Sequence, residues 1–120
     1  MGYYSDVALC LTKNGMDQLK SALVQAERNN PENFAAIKML IAGEPSKIDE
    51  GIGAVVFLWK GEKWCDEFDE IAFVGEFMDH LLHEDFLFIR IGEDYDDIET
   101  RGSFRGKPFG IYVERKIAFA

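Results

Sequence analysis

The chain has 120 residues, of which 48% are hydrophobic and 29% charged, and its formal net charge is −9. That length fits one domain, residues 1–120, with a sizeable core. The excess of carboxylates opposes direct binding to nucleic acid or to an anionic membrane surface, since both present phosphates, and favours cations or basic proteins as partners.

Ten Phe, four Tyr and two Trp argue against disorder, because they supply apolar area that offsets chain entropy. No apolar run reaches the roughly 20 residues that span a bilayer. The N-terminus has no basic stretch followed by an apolar one, so no signal peptide is expected. Two cysteines, Cys10 and Cys65, do not make a disulfide framework; cytosolic thiols and a cytoplasmic location are the simpler expectation.

Tyr3 to Thr12 alternates, with Tyr3, Ser5, Val7, Leu9 and Leu11 on one face, and predicts a strand. The small Ala8 and Cys10 on its other face suit close packing. Thr12 or Asn14 caps a helix whose stripe is Met16, Leu19, Leu23 and Ala26. Asn30 caps a second helix that opens on Pro31 and carries Phe34, Ile37, Leu40 and Ile41. Residues 43–53, with four Gly or Pro positions, predict a loop.

Ala54 to Trp59 is apolar on both faces and predicts an interior strand. Lys60 to Lys63 suggests a turn, with Trp64-Cys65 as a short returning strand. Acidic residues 66–69 precede a third helix with a stripe of Ile71, Val74, Met78 and Leu81. Phe86 to Ile91 predicts a buried strand. Gly92 ends it, and the acidic segment Glu93, Asp94, Tyr95, Asp96, Asp97 and Glu99 follows. Arg101 to Lys107 predicts a loop, and Gly110 to Phe119 a last strand on which Arg115 falls on the apolar face.

This order predicts an α+β domain: a mostly antiparallel sheet of four to five strands with two to three helices on one face. If Trp64-Cys65 is a strand, the order matches a ferredoxin-like unit with an added C-terminal strand.

The acidic segment first suggests calcium. With Asp94 and Asp96 at positions 1 and 3 of an EF-hand loop, position 6 is Glu99 instead of Gly and position 12 is Arg105, so the pattern fails where geometry is strictest. An irregular divalent-cation or small-ligand site on residues 93–99 stays as the alternative to a solvated acidic turn. His80 and His83, three apart near a helix end with Glu84 and Asp85 beside them, are weak evidence for a zinc site even if Cys65 approaches, since such a site needs three or four converging ligands. No nucleophile elbow or phosphate-binding glycine loop appears, and Gly51-Ile-Gly53 precedes a strand instead of a helix. No catalytic residue, metal ligand or cofactor is assigned, and enzymatic activity is not expected.

Charge is uneven. Residues 62–79 hold seven acidic residues and one basic, net −6, and residues 84–99 repeat that count. Residues 101–120 hold five basic and one acidic, net +4. The two acidic stretches flank one helix and one strand, so they are candidates to merge into a single face. Tyr95, a large amphipathic ring among carboxylates, is a plausible anchor for a basic partner. Arg90 shares a strand face with Phe86 and Phe88 and needs a carboxylate: Asp6, Glu114 or one after Gly92.

Two stretches, Tyr4-Ser-Asp-Val7 and Ile89-Arg-Ile-Gly-Glu-Asp-Tyr-Asp-Asp-Ile-Glu99, resemble a family of small acidic proteins recurrent in phages and bacterial mobile elements. No activity is established for that family, so the resemblance carries over no sites. It implies, by analogy of class, stoichiometric binding to a host protein, as anti-CRISPR and other anti-defence inhibitors do. The expected function is a protein-binding module that presents Glu93, Asp94, Tyr95, Asp96, Asp97 and Glu99 to a basic, nucleic-acid-binding protein. A homodimer is a further expectation, through Tyr3–Leu11 or Ile111–Phe119 as a sheet edge, with Glu114 and Lys116 pairing across the two-fold.

Overall fold

The computed structural model describes residues 3–104. Strand β1 is Ser5–Leu11, followed by helices α1 (Lys13–Asn29) and α2 (Pro31–Ile41). Strands β2 (Lys47–Asp49) and β3 (Ala54–Glu62) lead to α3 (Asp69–Asp79). A single 3-10 turn, His83–Asp85, precedes β4 (Phe86–Ile91), and β5 is Ile98–Gly102. Among the described residues the strands form one five-stranded sheet in the order β2-β3-β1-β4-β5, every adjacent pair antiparallel.

The first six main elements, with α1 and α2 counted as one crossover, run strand–helix–strand–strand–helix–strand. The order β2-β3-β1-β4 is that of a ferredoxin-like unit, and β5 is the added strand beyond β4. The expected arrangement is present, but on different strands. Trp64-Cys65 is not a strand; the extra strand is Lys47–Asp49, inside the predicted loop. Residues 60–62 continue β3 instead of turning. Ile98–Gly102 pairs with β4, so the acidic segment is a hairpin connection and Arg101 belongs to a strand. The expected last strand, Gly110–Phe119, and its Arg115 lie outside the described residues.

Alternation sets which face is covered. Val7, Leu9 and Leu11 of β1, Val55 and Phe57 of β3, and Phe86 and Phe88 of β4 are buried in one cluster with Leu19, Ile37, Ile41, Val74, Phe77 and Met78 from the three helices. That cluster is the core, and its burial is the main stabilising term. On the opposite face Ala8, Cys10, Ala54 and Val56 are also buried. Strand β1 is the middle strand of five, so Tyr3–Leu11 is not a free edge, and a dimer built on it is ruled out. The other proposed edge, Ile111–Phe119 with Glu114 and Lys116, falls outside the described residues.

Helix ends follow the sequence signals. The Thr12 hydroxyl accepts from the Gly15 amide at the start of α1, and the Asn30 side chain accepts from the Asn33 amide at the start of α2, with Pro31 in the first turn. Helix α3 has no side-chain cap; Asp69 and Glu70 in its first turn oppose the positive end of its dipole.

Beside β4 lies a second anchor. Asp85 is a buried carboxylate, 8% exposed. It accepts from the Thr12 hydroxyl and the Asn14 amide, each at 2.9 Å, while its carbonyl accepts from the Thr12 amide at 2.9 Å. These bonds satisfy a buried charge and tie the start of β4 to the start of α1.

Candidate functional site

At the opposite end of β4 the chain turns through residues 92–97 into β5. The turn closes on itself: the Gly92 amide donates to the Asp97 carbonyl and the Asp97 amide to the Asp94 carbonyl. Arg90 organises it. Its guanidinium donates to both oxygens of Asp97, at 3.1 and 2.7 Å, to Glu99 at 3.0 Å and to the Ser5 hydroxyl at 3.1 Å. Ser5 is buried, and the Arg90 side chain is 16% exposed. The partners are thus carboxylates that follow Gly92, and Glu99 is Arg90's cross-strand neighbour. Asp6, the other described candidate, instead accepts from the Gly61 amide at 2.9 Å. The Asp97 hydrogen bonds raise the Arg90 pKa; burial opposes this, and Glu99 adds to the rise.

Tyr3 completes the network. Its hydroxyl donates to Asp97 at 2.6 Å and accepts from the Asp94 amide at 3.0 Å. The bond from Asp94 lowers its pKa, but the bond to Asp97, desolvation and both carboxylates outweigh it and hold the phenol above its usual value. A Cβ at Gly92 would run into the Tyr3 ring and the Asp97 carboxylate, so only glycine lets these groups close over the turn.

The six predicted residues therefore divide. Asp97 and Glu99 pair with Arg90. Glu93, Asp94, Tyr95 and Asp96 lie exposed on the turn, Tyr95 with 77% of its surface accessible. Tyr3, Ser5 and Arg90 hold them in place. Sequence reasoning identified Arg90 but placed Tyr3 and Ser5 in a strand face; Ser5 begins β1, and Tyr3 precedes it.

The two acidic stretches meet at one cleft without making an acidic face there: Asp66 from the first and Asp97 and Glu99 from the second are matched by Lys63, Arg90 and Arg101. Between α3 and the β4–β5 hairpin lies a cleft of about 580 Å³. One wall is Lys63, Trp64, Cys65, Asp66, Phe68, Ile71, Gly75 and Met78, from the first stretch; the other is Phe88, Arg90, Asp97 and Glu99 from the second, with Arg101. Trp64 packs at a tilt between two rings, 5.2 Å from Trp59 and 6.0 Å from Phe88 between centroids. That packing is what the expected Trp64-Cys65 strand turns out to be. Arg101 donates to Asp79 at 2.6 Å and links the two walls.

Among the described residues no group of three or more His, Cys, Asp and Glu is placed to hold a metal ion. His80 uses its Nδ1–H on the Glu76 carbonyl at 2.8 Å, and the His83 ring packs edge-on against Phe86. No helix among the described residues is long and apolar enough to cross a membrane. Comparison of the chain with protein-family models, curated proteins and solved structures finds no match.

Proposed function

We propose that the protein is a small acidic binding module whose exposed turn, Glu93 to Asp96, engages a basic, nucleic-acid-binding protein. The observation that carries this reading is the anchoring of the turn. Arg90, Asp97, Ser5 and Tyr3 hold its backbone, while Glu93, Asp94, Tyr95 and Asp96 stay exposed. A fixed set of carboxylates imitates phosphates electrostatically, speeds encounter and loses little entropy on binding. In the phage and mobile-element setting suggested by the sequence resemblance, the module acts as a stoichiometric inhibitor of a host complex, of anti-CRISPR or another anti-defence type. Asp97 and Glu99 belong to the scaffold of the surface and not to its contact set.

The test is affinity capture from bacterial lysate at low ionic strength, with the Glu93→Gln, Asp94→Asn, Asp96→Asn triple variant alongside. A basic nucleic-acid-binding protein retained by the wild type, released by salt and lost on the variant supports the reading. No retained protein, or one indifferent to the three changes, removes it.

A further inference from the structure

We infer that the outer edge of β2 is a homodimer interface, in which Lys47–Asp49 of one copy pairs antiparallel with Lys47–Asp49 of a second and Ile48 lies on the two-fold axis. Among the described residues β2 is an outermost strand, and all three of its residues are exposed. An outer strand presents a row of unpaired backbone N–H and C=O groups, a template for another strand. A lysine on such an edge ordinarily discourages pairing. Here the lysine is matched. Lys47 and Asp49 stand opposite Val56 and Ala54, so both side chains belong to the sheet face turned away from the helices. Antiparallel pairing centred on Ile48 sets Lys47 of each copy directly across from Asp49 of the other, twice over by symmetry.

Both charges are available for this. Lys47 makes no ion pair among the described residues. Asp49 uses one carboxylate oxygen on the Gly51 amide of its own turn, at 3.0 Å. The strand at the other side of the sheet, β5, has the same spacing, Glu99 and Arg101 about Thr100, but its charges are committed: Glu99 accepts from Arg90, and Arg101 donates to Asp79. That contrast singles out β2. Apolar surface adds to it. Ile48 is the cross-strand neighbour of Val55, yet Val55 is 5% exposed beneath the helices and Ile48 is 55% exposed. A groove of about 890 Å³ opens beside it, between α1 and the β2–β3 hairpin, with Ile52, 62% exposed, at its lip. The pairing brings two Ile48 side chains together where the helices leave them uncovered. It also lays each hairpin tip, with Ile52, along residues 44–46 of the other copy, so apolar burial supports a ladder only three residues long. The β4–β5 hairpin lies at the far side of the sheet from this axis, so the dimer carries two acidic turns at its outer ends.

Sedimentation equilibrium at about 0.15 M salt tests this, because the net charge of −9 on each copy is then largely screened beyond about 8 Å. The wild type is expected to form a concentration-dependent dimer. Lys47→Asp sets carboxylate against carboxylate, and Asp49→Lys sets ammonium against ammonium. Each change acts twice across the axis, so each should raise the dimer Kd about tenfold. Both positions are exposed, so the fold should be kept, with circular dichroism as the check. Mixed in equal amounts, the two variants regain opposite charges across the axis and should associate with each other about as tightly as wild type does with itself. A wild type that stays monomeric up to its solubility limit, a dimer indifferent to Lys47→Asp, or a mixture that fails to associate overturns the inference. None of these outcomes touches the acidic-turn reading, which uses the other side of the sheet.

Discussion

Strand β4 carries a fixed carboxylate at each end, and the two are held by different means. At its start Asp85 is buried and satisfied by neutral donors, the Thr12 hydroxyl and the Asn14 amide. At its end Asp97, with 30% of its side chain exposed, is held by the Arg90 guanidinium and the Tyr3 hydroxyl. The first joins two core elements, β4 and α1. The second holds a turn that leaves the core. A deep carboxylate held by neutral dipoles avoids burying a second ion, whereas an ion pair is tolerable where water still reaches both partners. The chain keeps its ionic anchor for the surface that is proposed to meet a partner.

The largest effect should come from the buried end. Asp85→Ala removes the buried acceptor of the Thr12 hydroxyl and the Asn14 amide, unties the start of β4 from α1, and is expected to cost about 3 kcal/mol, seen as a lower denaturant midpoint at unchanged slope. Arg90→Met should cost less, about 2 kcal/mol, because Asp97 and Glu99 are part-exposed and recover water when the guanidinium is lost. A midpoint equal to wild type for Arg90→Met would mean that the turn is not anchored through it.

Tyr3→Phe removes one hydroxyl and should act locally. Amide exchange at Asp94, whose N–H donates to that hydroxyl, should accelerate while the strands keep their protection. Spread of that acceleration into β1 would erase the distinction between a local latch and a core contact. The smallest effect separates the two ends by salt. Raising ionic strength should shrink the cost of Arg90→Met by a few tenths of a kcal/mol, about what a part-exposed pair loses to screening, and leave that of Asp85→Ala unchanged.

How much of this was legible depends on how each residue reports its surroundings. Val7, Leu9 and Leu11 alternate because one face of β1 meets the helices, and Thr12, Asn30 and Pro31 mark helix starts by local hydrogen bonding, so both were readable. Strand β2 was not: Lys47, Ile48 and Asp49 are all exposed, and three residues are too few to show a period. Strand β5, the outermost strand among the described residues, hid in the same way behind Glu99, Thr100 and Arg101, since it needs only its backbone to pair with β4. Trp64 misled for the opposite reason. An aromatic residue beside a strand suggests another strand, but its ring is used across the core. For the site, the need of Arg90 for a carboxylate was legible from burial alone. The bond between Tyr3 and Asp97 spans 94 residues of sequence and leaves no local pattern.

The two thiols give the molecule a built-in pair of clocks. Cys10 is buried in β1, and desolvation pushes its pKa up to about 12, so at neutral pH it is protonated as well as covered. Cys65 is exposed at the cleft. A thiol reagent will therefore read Cys65 on the time scale of encounter and Cys10 on the time scale of opening the sheet. One labelling trace from the unaltered chain separates access to the cleft from the lifetime of the fold.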